Sequence, residues 1–339
     1  MKKIAIEEHF TTDEHLDYLR LLLEKRYPIP EVIDEEKYID RELPFLSPSI
    51  PGNTVLTGKL LDTGNGRLQD MEEAGIDIQV LSLVSPGVQV FDASTGSALA
   101  RKFNNKLAEI IKGHPDRFAG LATLAPQSPD EAADELERAV RVLGLKGAVI
   151  NSHVKGEYLD NKKYWVIFER AERLGVPIYI HPRSPTPDMI KPFLSYPLLE
   201  SSMGGFSADI SLHVLRLIYS GVFDEYPKLN IILGHLGEAL PFWLWRFDDM
   251  WRRLPLSKQR KKKPSQYLKD NFFITTSGMF WQPVLLFCYL ALGVDNILFA
   301  VDYPMESMKK ASQFIDIAPI CESDREKIVH VNAERLLSL

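Results

Sequence analysis

The sequence predicts a closed (β/α)8 barrel. Three observations carry this expectation: eight short apolar runs alternate with amphipathic helical stretches, no glycine-rich phosphate turn follows the first run, and imidazoles and carboxylates recur where the runs end. The first run, 2–9, begins with the apolar Ile4-Ala5-Ile6 and ends in Glu7-Glu8-His9. The others are 76–84 (IDIQVLSLV), 118–125 (FAGLATLA), 145–152 (LKGAVINS), 176–182 (VPIYIHP), 228–235 (KLNIILGH), 271–277 (NFFITTS) and 295–302 (DNILFAVD). Such near-continuous apolar runs suit parallel strands covered by helices. Helix starts agree, because Ser128-Pro129-Asp130-Glu131 and Ser323-Asp324-Arg325-Glu326 both read as capping boxes.

Two stretches interrupt the rhythm. Residues 27–68, between the first and second strands, and residues 184–204, beyond the fifth, would rise over the C-terminal face, where a barrel builds its site. They read as walls or lids, or, for 184–204, as a plain surface insertion. With no repeat, linker or low-complexity tract, 1–339 reads as a single barrel domain.

Composition narrows the function classes. A net charge of −6 gives no global attraction for nucleic acid. The one basic run, KQRKKKP at 258–264, fits a solvated loop between helix and strand, with a phosphate-binding or targeting patch as the alternative. Apolar stretches are too short for a membrane span, and the first residues do not resemble a signal peptide. Two cysteines, Cys288 and Cys321, do not make a disulfide framework, so a cytoplasmic location is the default expectation.

The chemistry gathers at strand ends. Glu7 and His9 close the first strand on one face, His181 the fifth, His235 the sixth and Asp302 the eighth. A parallel barrel brings these ends to one rim, where imidazoles and carboxylates form the ligand set of a divalent metal with an open coordination position. Each residue alone also suits a hydrogen-bonded turn. His153 ends the fourth strand and reads either as a ligand or substrate contact or as a loop histidine. A dinuclear centre would want a bridging lysine at that strand end, and Lys155 lies beyond it, which favours one ion. His15, His114, His213 and His330 read as structural.

The stretches IAIEEHF, YIHPRSP, IILGHLGEALPFWLWR and FAVDYP, in this order and spacing, resemble the metal-dependent decarboxylase branch of the amidohydrolase superfamily, whose members act on hydroxybenzoates and carboxyvanillate. The segments SLVSPGVQ, ATLAPQ and INSHVKGEYLD carry the similarity over almost the whole chain. The resemblance implies an amidohydrolase-type barrel in which Glu7, His9, His181 and Asp302 bind one zinc or manganese ion. It also implies that His235 and Glu238 form a catalytic pair, that Asp302 is the proton donor, and that an ortho-hydroxylated aromatic acid loses CO2 without oxidation. A hydrolase of the same superfamily, such as a lactonase, would use nearly the same residues around a metal-activated water. An inactive metal-binding scaffold is the reading from another class.

Arg183 and Arg246 are the arginines placed to meet an anionic substrate, although Arg246 also fits an ion pair with Asp248 or Asp249. Phe10, Phe280 and Tyr303 border strand ends and suit stacking on a substrate ring or packing in the core. The helix PFWLWRFDDMWRRL carries more tryptophan than one buried stripe holds, which points to a second subunit, and the resemblance implies a homodimer or homotetramer.

Overall fold

The computed structural model describes residues 1–24, 52–196 and 198–339. All eight expected strands are present, each shorter than its apolar run. They are β1 (Ile4–Phe10), β2 (Ile78–Leu83), β3 (Phe118–Gly120) with β4 (Ala122–Thr123), β5 (Ala148–Asn151), β6 (Ile178–His181), β7 (Ile231–Leu233), β8 (Phe272–Thr275) and β9 (Ile297–Leu298). β3 and β4 are two pieces of one strand position. The chain switches neighbours at Leu121, whose N–H donates to Leu81, while the next amide donates to Gly147, both at 2.9 Å.

Every paired neighbour is parallel. The two ends of the chain close the barrel: Ile6 N–H donates to Phe299 at 3.2 Å, Asp302 N–H to Glu7 at 2.9 Å and His9 N–H to Tyr303 at 2.7 Å. The interior is a buried layer of Ile4, Ile6, Val80, Leu121, Val149, Tyr179, Ile232 and Leu298, and the C-terminal helix Asn332–Leu337 adds Ala333, Leu336 and Leu337 to it. Each fully buried isoleucine here stabilises the fold by roughly 2 kcal/mol. A second, larger core fills the space between strands and helices.

One irregularity determines what enters the barrel. Between Ala5 and Glu8 the β1–β2 register slips, so two residues of β1, Ile6 and Glu7, stand opposite Val80 alone. Strict alternation from Ile4 and Ile6 would point Glu8 inward. The bulge reverses the parity, so that Glu7 and His9 enter the barrel and Glu8 faces the helices.

Of the two interruptions, residues 27–51 lie outside the described residues. Residues 52–68 form the helix Asn53–Leu61 and the start of the helix Asn65–Ala74, and both reach the C-terminal end of β1: Leu60 accepts from Thr11 N–H at 2.9 Å and Arg67 donates to the His9 carbonyl at 2.7 Å. In the second interruption, Ser184 and the short helix Pro187–Ile190 follow β6 and meet the loop after β5. Ser128 does stand at a helix N-terminus ahead of Pro129, but its hydroxyl makes no capping bond. The other expected capping box is corrected: that helix begins at Glu322 with Cys321 as its cap, because the chain turns two residues earlier and leaves Ser323 inside.

The basic loop has local partners. Lys262 pairs with Asp270 at 2.7 Å and Lys263 with Asp248 at 3.1 Å, which favours the solvated-loop reading. Among the described residues, no helix is long and apolar enough to cross a membrane.

Candidate metal centre and proton-transfer pair

Glu7, His9, His181 and Asp302 each offer one donor atom, and these atoms lie within 4.8 Å of one another at the C-terminal end of the barrel. His9 Nε2 stands 3.2 Å from Asp302 Oδ1, and His181 Nε2 stands 3.4 Å from Glu7 Oε1. The two imidazoles meet edge to face with centroids 4.8 Å apart. Among the described residues this is the one such cluster, and Lys155 is exposed outside it.

The donor set fits a divalent cation. Glu7 is 2 % exposed, and its Oε1 is buried without a hydrogen-bond partner, a costly state for a carboxylate oxygen unless a cation meets it. Its Oε2, by contrast, accepts from the Tyr179 hydroxyl and from Thr275 Oγ1, the latter at 3.1 Å. Those bonds hold one oxygen in the wall and leave the other to the centre, as supporting residues of metal ligands do. His9 is steered in the same way by Ser82 Oγ, 3.3 Å from Nδ1. Gly234 is required by close approach, since a Cβ there would stand 3.0 Å from both Glu7 Oε2 and the Tyr179 oxygen.

The electrostatics are those of a cluster awaiting positive charge. Burial, with the His9 ring beside it, pushes His181 down to about 3, so it presents a neutral imidazole. Burial raises the Glu7 carboxyl against the opposing pull of His235. Burial also opposes ionisation of Asp302, but hydrogen bonds to His235 and His9 outweigh it and hold that carboxyl well below its ordinary value.

His235 and Glu238 form the second part of the site. Nδ1 of His235 stands 2.5 Å from Glu238 Oε1, and its Nε2 stands 3.5 Å from Asp302 Oδ2. Asp302 therefore belongs to both groups, with one oxygen toward His9 and the other toward His235. Burial disfavours a charged His235, yet Glu238, Glu7 and Asp302 together hold its value well above that of free histidine.

The remaining expected site residues divide. Arg183 is 6 % exposed and lies two residues past His181. His153 has both nitrogens engaged: Nε2 donates to the Ser184 carbonyl at 3.0 Å, and Nδ1 accepts from Gly156 N–H at 3.2 Å. It thus braces two loops, and burial together with Arg183 pushes it down to about 3. The three aromatic expectations resolve to packing. Phe10 follows His9 and so falls on the opposite face of β1, among Leu16 and Leu19. Tyr303 lies under Arg67, 4.7 Å from the ring, and its hydroxyl donates to Asp70 at 2.9 Å. Phe280 meets Phe314 with centroids 5.8 Å apart.

Arg246 is exposed on the helix Leu240–Arg252. Its expected partners are engaged elsewhere, Asp248 with Lys263 and Ser265 and Asp249 with Arg252 and Arg253. The four histidines read as structural sit outside the cluster. His15 bonds Thr11 and Gly87, His213 accepts from Leu159 N–H, His330 pairs with Glu334, and His114 ends the helix Ala93–Gly113.

The sequence reading passes over Tyr179, Thr275 and Ser82. The signal for them is the strand period of two: Tyr179 precedes His181 by two residues, and Ser82 follows the inward Val80 by two.

Known proteins are similar to this chain in sequence and fold. A family model described as Amidohydrolase matches residues 62–339. A γ-resorcylate decarboxylase from Polaromonas sp. is 36 % identical over 99 % of this chain and 98 % of its own length. The crystal structure of 5-carboxyvanillate decarboxylase from Sphingomonas paucimobilis superposes with a TM-score of 0.92 at 39 % identity, covering 100 % of this chain and 99 % of that one. The 5-carboxyvanillate decarboxylase from Novosphingobium aromaticivorans, solved with manganese and 4-hydroxy-3-methoxy-5-nitrobenzoic acid, gives a TM-score of 0.92 at 36 % identity over 100 % and 96 % of the chains. With the barrel, the donor cluster and these matches in agreement, the chain belongs to the amidohydrolase family.

Proposed function

We propose that this protein is a metal-dependent decarboxylase of ortho-hydroxylated aromatic carboxylic acids, of the hydroxybenzoate or carboxyvanillate type. The observation that carries the reading is the double membership of Asp302, within the donor cluster and 3.5 Å from the imidazole of a His–Glu pair. The named activities of the similar proteins support it. Glu7, His9, His181 and Asp302 would hold one divalent ion, zinc or manganese, since mixed nitrogen and oxygen donors accept either. Such an ion would supply Lewis-acid stabilisation of the substrate's negative charge.

The chain's own groups then manage the proton. Direct loss of CO2 would leave an unstabilised aryl carbanion. A proton delivered first to the ring carbon lets the carbon–carbon bond break while its electron pair restores aromaticity. Asp302 Oδ2 stands 3.5 Å from His235 Nε2, takes up the proton of that imidazolium and delivers it to the ring carbon. Glu238 keeps the imidazole oriented and charged. Arg183, beside the strand end that carries His181, is our candidate for meeting the substrate's negative charge.

The chain 1–339 works in this reading as one domain, because β1 closes on the segment after β9. It assembles as a homodimer or homotetramer through the outer face carrying Phe242, Trp245 and Leu290, which are 67 %, 72 % and 80 % exposed.

The decisive experiment is a screen of ortho-hydroxybenzoates, carboxyvanillate among them, with metal-loaded protein in heavy water. CO2 release with one deuteron at the vacated ring carbon is expected. Hydrolysis without CO2, its new oxygen drawn from solvent, would instead establish the lactonase-type reading. Asp302→Asn, with metal content measured on the same sample, should abolish deuteron delivery.

A further inference from the structure

The catalytic pair stands on an unusual backbone. Successive φ values are 52° at His235, 51° at Leu236, 81° at Gly237, 52° at Glu238 and 65° at Ala239, a turn of left-handed helix. Only Gly237 adopts this conformation freely, and each of the other residues is strained there. Such a turn persists only when its surroundings over-determine it.

Hydroxyl groups supply that determination. Ser277 Oγ accepts from His235 N–H at 3.1 Å. On the opposite side, Ser207 Oγ donates to Glu238 Oε2 at 2.5 Å, and Ser211 Oγ donates to the Glu238 carbonyl at 3.0 Å. Ser207 and Ser211 are four residues apart on the helix Gly205–Ser220 and therefore share one of its faces. One hydroxyl holds the Glu238 carboxylate and the other its backbone. The second carboxylate oxygen is left pointing at His235 Nδ1, 2.5 Å away.

We propose that Ser207 and Ser211 are positioning residues for the His235–Glu238 pair, Ser207 by fixing the carboxylate and Ser211 by holding the left-handed turn. This rests on the reading that the pair serves the reaction. Neither serine belongs to the donor cluster, so both act through Glu238.

The test uses the full-length, metal-loaded protein with 2,6-dihydroxybenzoate and 5-carboxyvanillate as substrates. Ser207→Ala should keep one metal per chain and an unchanged KM while kcat falls by about 10–100-fold, the range typical of supporting residues. Ser207→Thr should restore most of it. In a Glu238→Gln background, Ser207→Ala should change kcat no further. An equal loss in both backgrounds, or none in the first, overturns the proposal. Independently of turnover, Ser211→Ala should speed amide hydrogen exchange across 235–240 while exchange in the barrel strands stays as it was; unchanged exchange in that segment overturns its half. Full activity of Glu238→Gln would instead overturn the catalytic pair, leaving the exchange result to judge Ser211.

Discussion

Glu7 and Glu8, neighbours in the chain, serve opposite sides of the barrel wall. Glu7 faces the donor cluster, whereas Glu8 accepts from Gln79 Nε2 and from Val301 N–H, both at 2.9 Å, and so ties β1 to the neighbouring strand positions. Burial drives Glu8 well above its ordinary value, with Val301 N–H and Arg67 pulling the other way. Arg67 is fully buried and donates to the carbonyls of His9, Lys59 and Asp62 at 2.7, 3.1 and 2.7 Å.

Removing that guanidinium leaves the carbonyls and Glu8 without their donor and cation. Arg67→Met should therefore destabilise the protein by about 3–5 kcal/mol, since three buried carbonyls lose a donor at a cost of about 1–3 kcal/mol each. Urea unfolding followed by far-UV circular dichroism reads this directly, and an unchanged midpoint would show that Arg67 is dispensable.

Metal analysis separates ligands from other histidines. The wild-type protein should carry about one zinc or manganese ion per chain, since one donor cluster is present among the described residues. His181→Ala should lose metal and activity together. His114→Ala, at a helix end away from the cluster, should lose neither. Because the ion binds the folded state, chelation should lower Tm in the wild type and hardly at all in His181→Ala.

A pH prediction follows from His15. Burial pushes this ring down to about 4, against the supporting bond to Gly87. A folded value below the unfolded one means that the unfolded chain takes up a proton the folded chain refuses. The resulting stability is complete above about pH 6.5 and is lost as pH falls toward 4, a change of about 3 kcal/mol for a shift of this size. Chelated His15→Gln protein should show a shallower fall of Tm between pH 7 and 4.5 than chelated wild type. Parallel curves would remove His15 from the acid response.

How much of this was legible in the sequence differs by level. The strands were, because parallel strands buried on both faces must be apolar runs. The ligand cluster was too, since Glu7, His9, His181 and Asp302 break those runs where they end. What the runs do not contain is the register slip that turns Ile6 and Glu7 to the same side, for a bulge is a relation between two strands. Of the two readings open for the aromatics, packing is the one Phe10 follows, because a residue next to His9 lies on the opposite face of its strand. The left-handed turn at 235–239 has one glycine as its trace, and hydroxyls on another helix hold the rest of it.

Gly234 offers a test of the wall around Glu7 that removes no donor atom. Its φ of −72° suits any residue, so a methyl group there brings no backbone strain. The added carbon would nevertheless stand 3.0 Å from Glu7 Oε2 and the Tyr179 oxygen, and 3.2 Å from Glu7 Oε1, all buried with little room to give. Relief requires Glu7 to rotate away from Tyr179 and Thr275, which moves the oxygen that faces the donor cluster. Gly234→Ala should therefore weaken metal affinity by about 10–100-fold, as disturbed supporting contacts do. Competition with a chelator measures the affinity. A spectrum of the folded apoprotein matching wild type, together with unaltered metal affinity, would mean that Glu7 tolerates the displacement and that its fixed orientation is not what holds the metal.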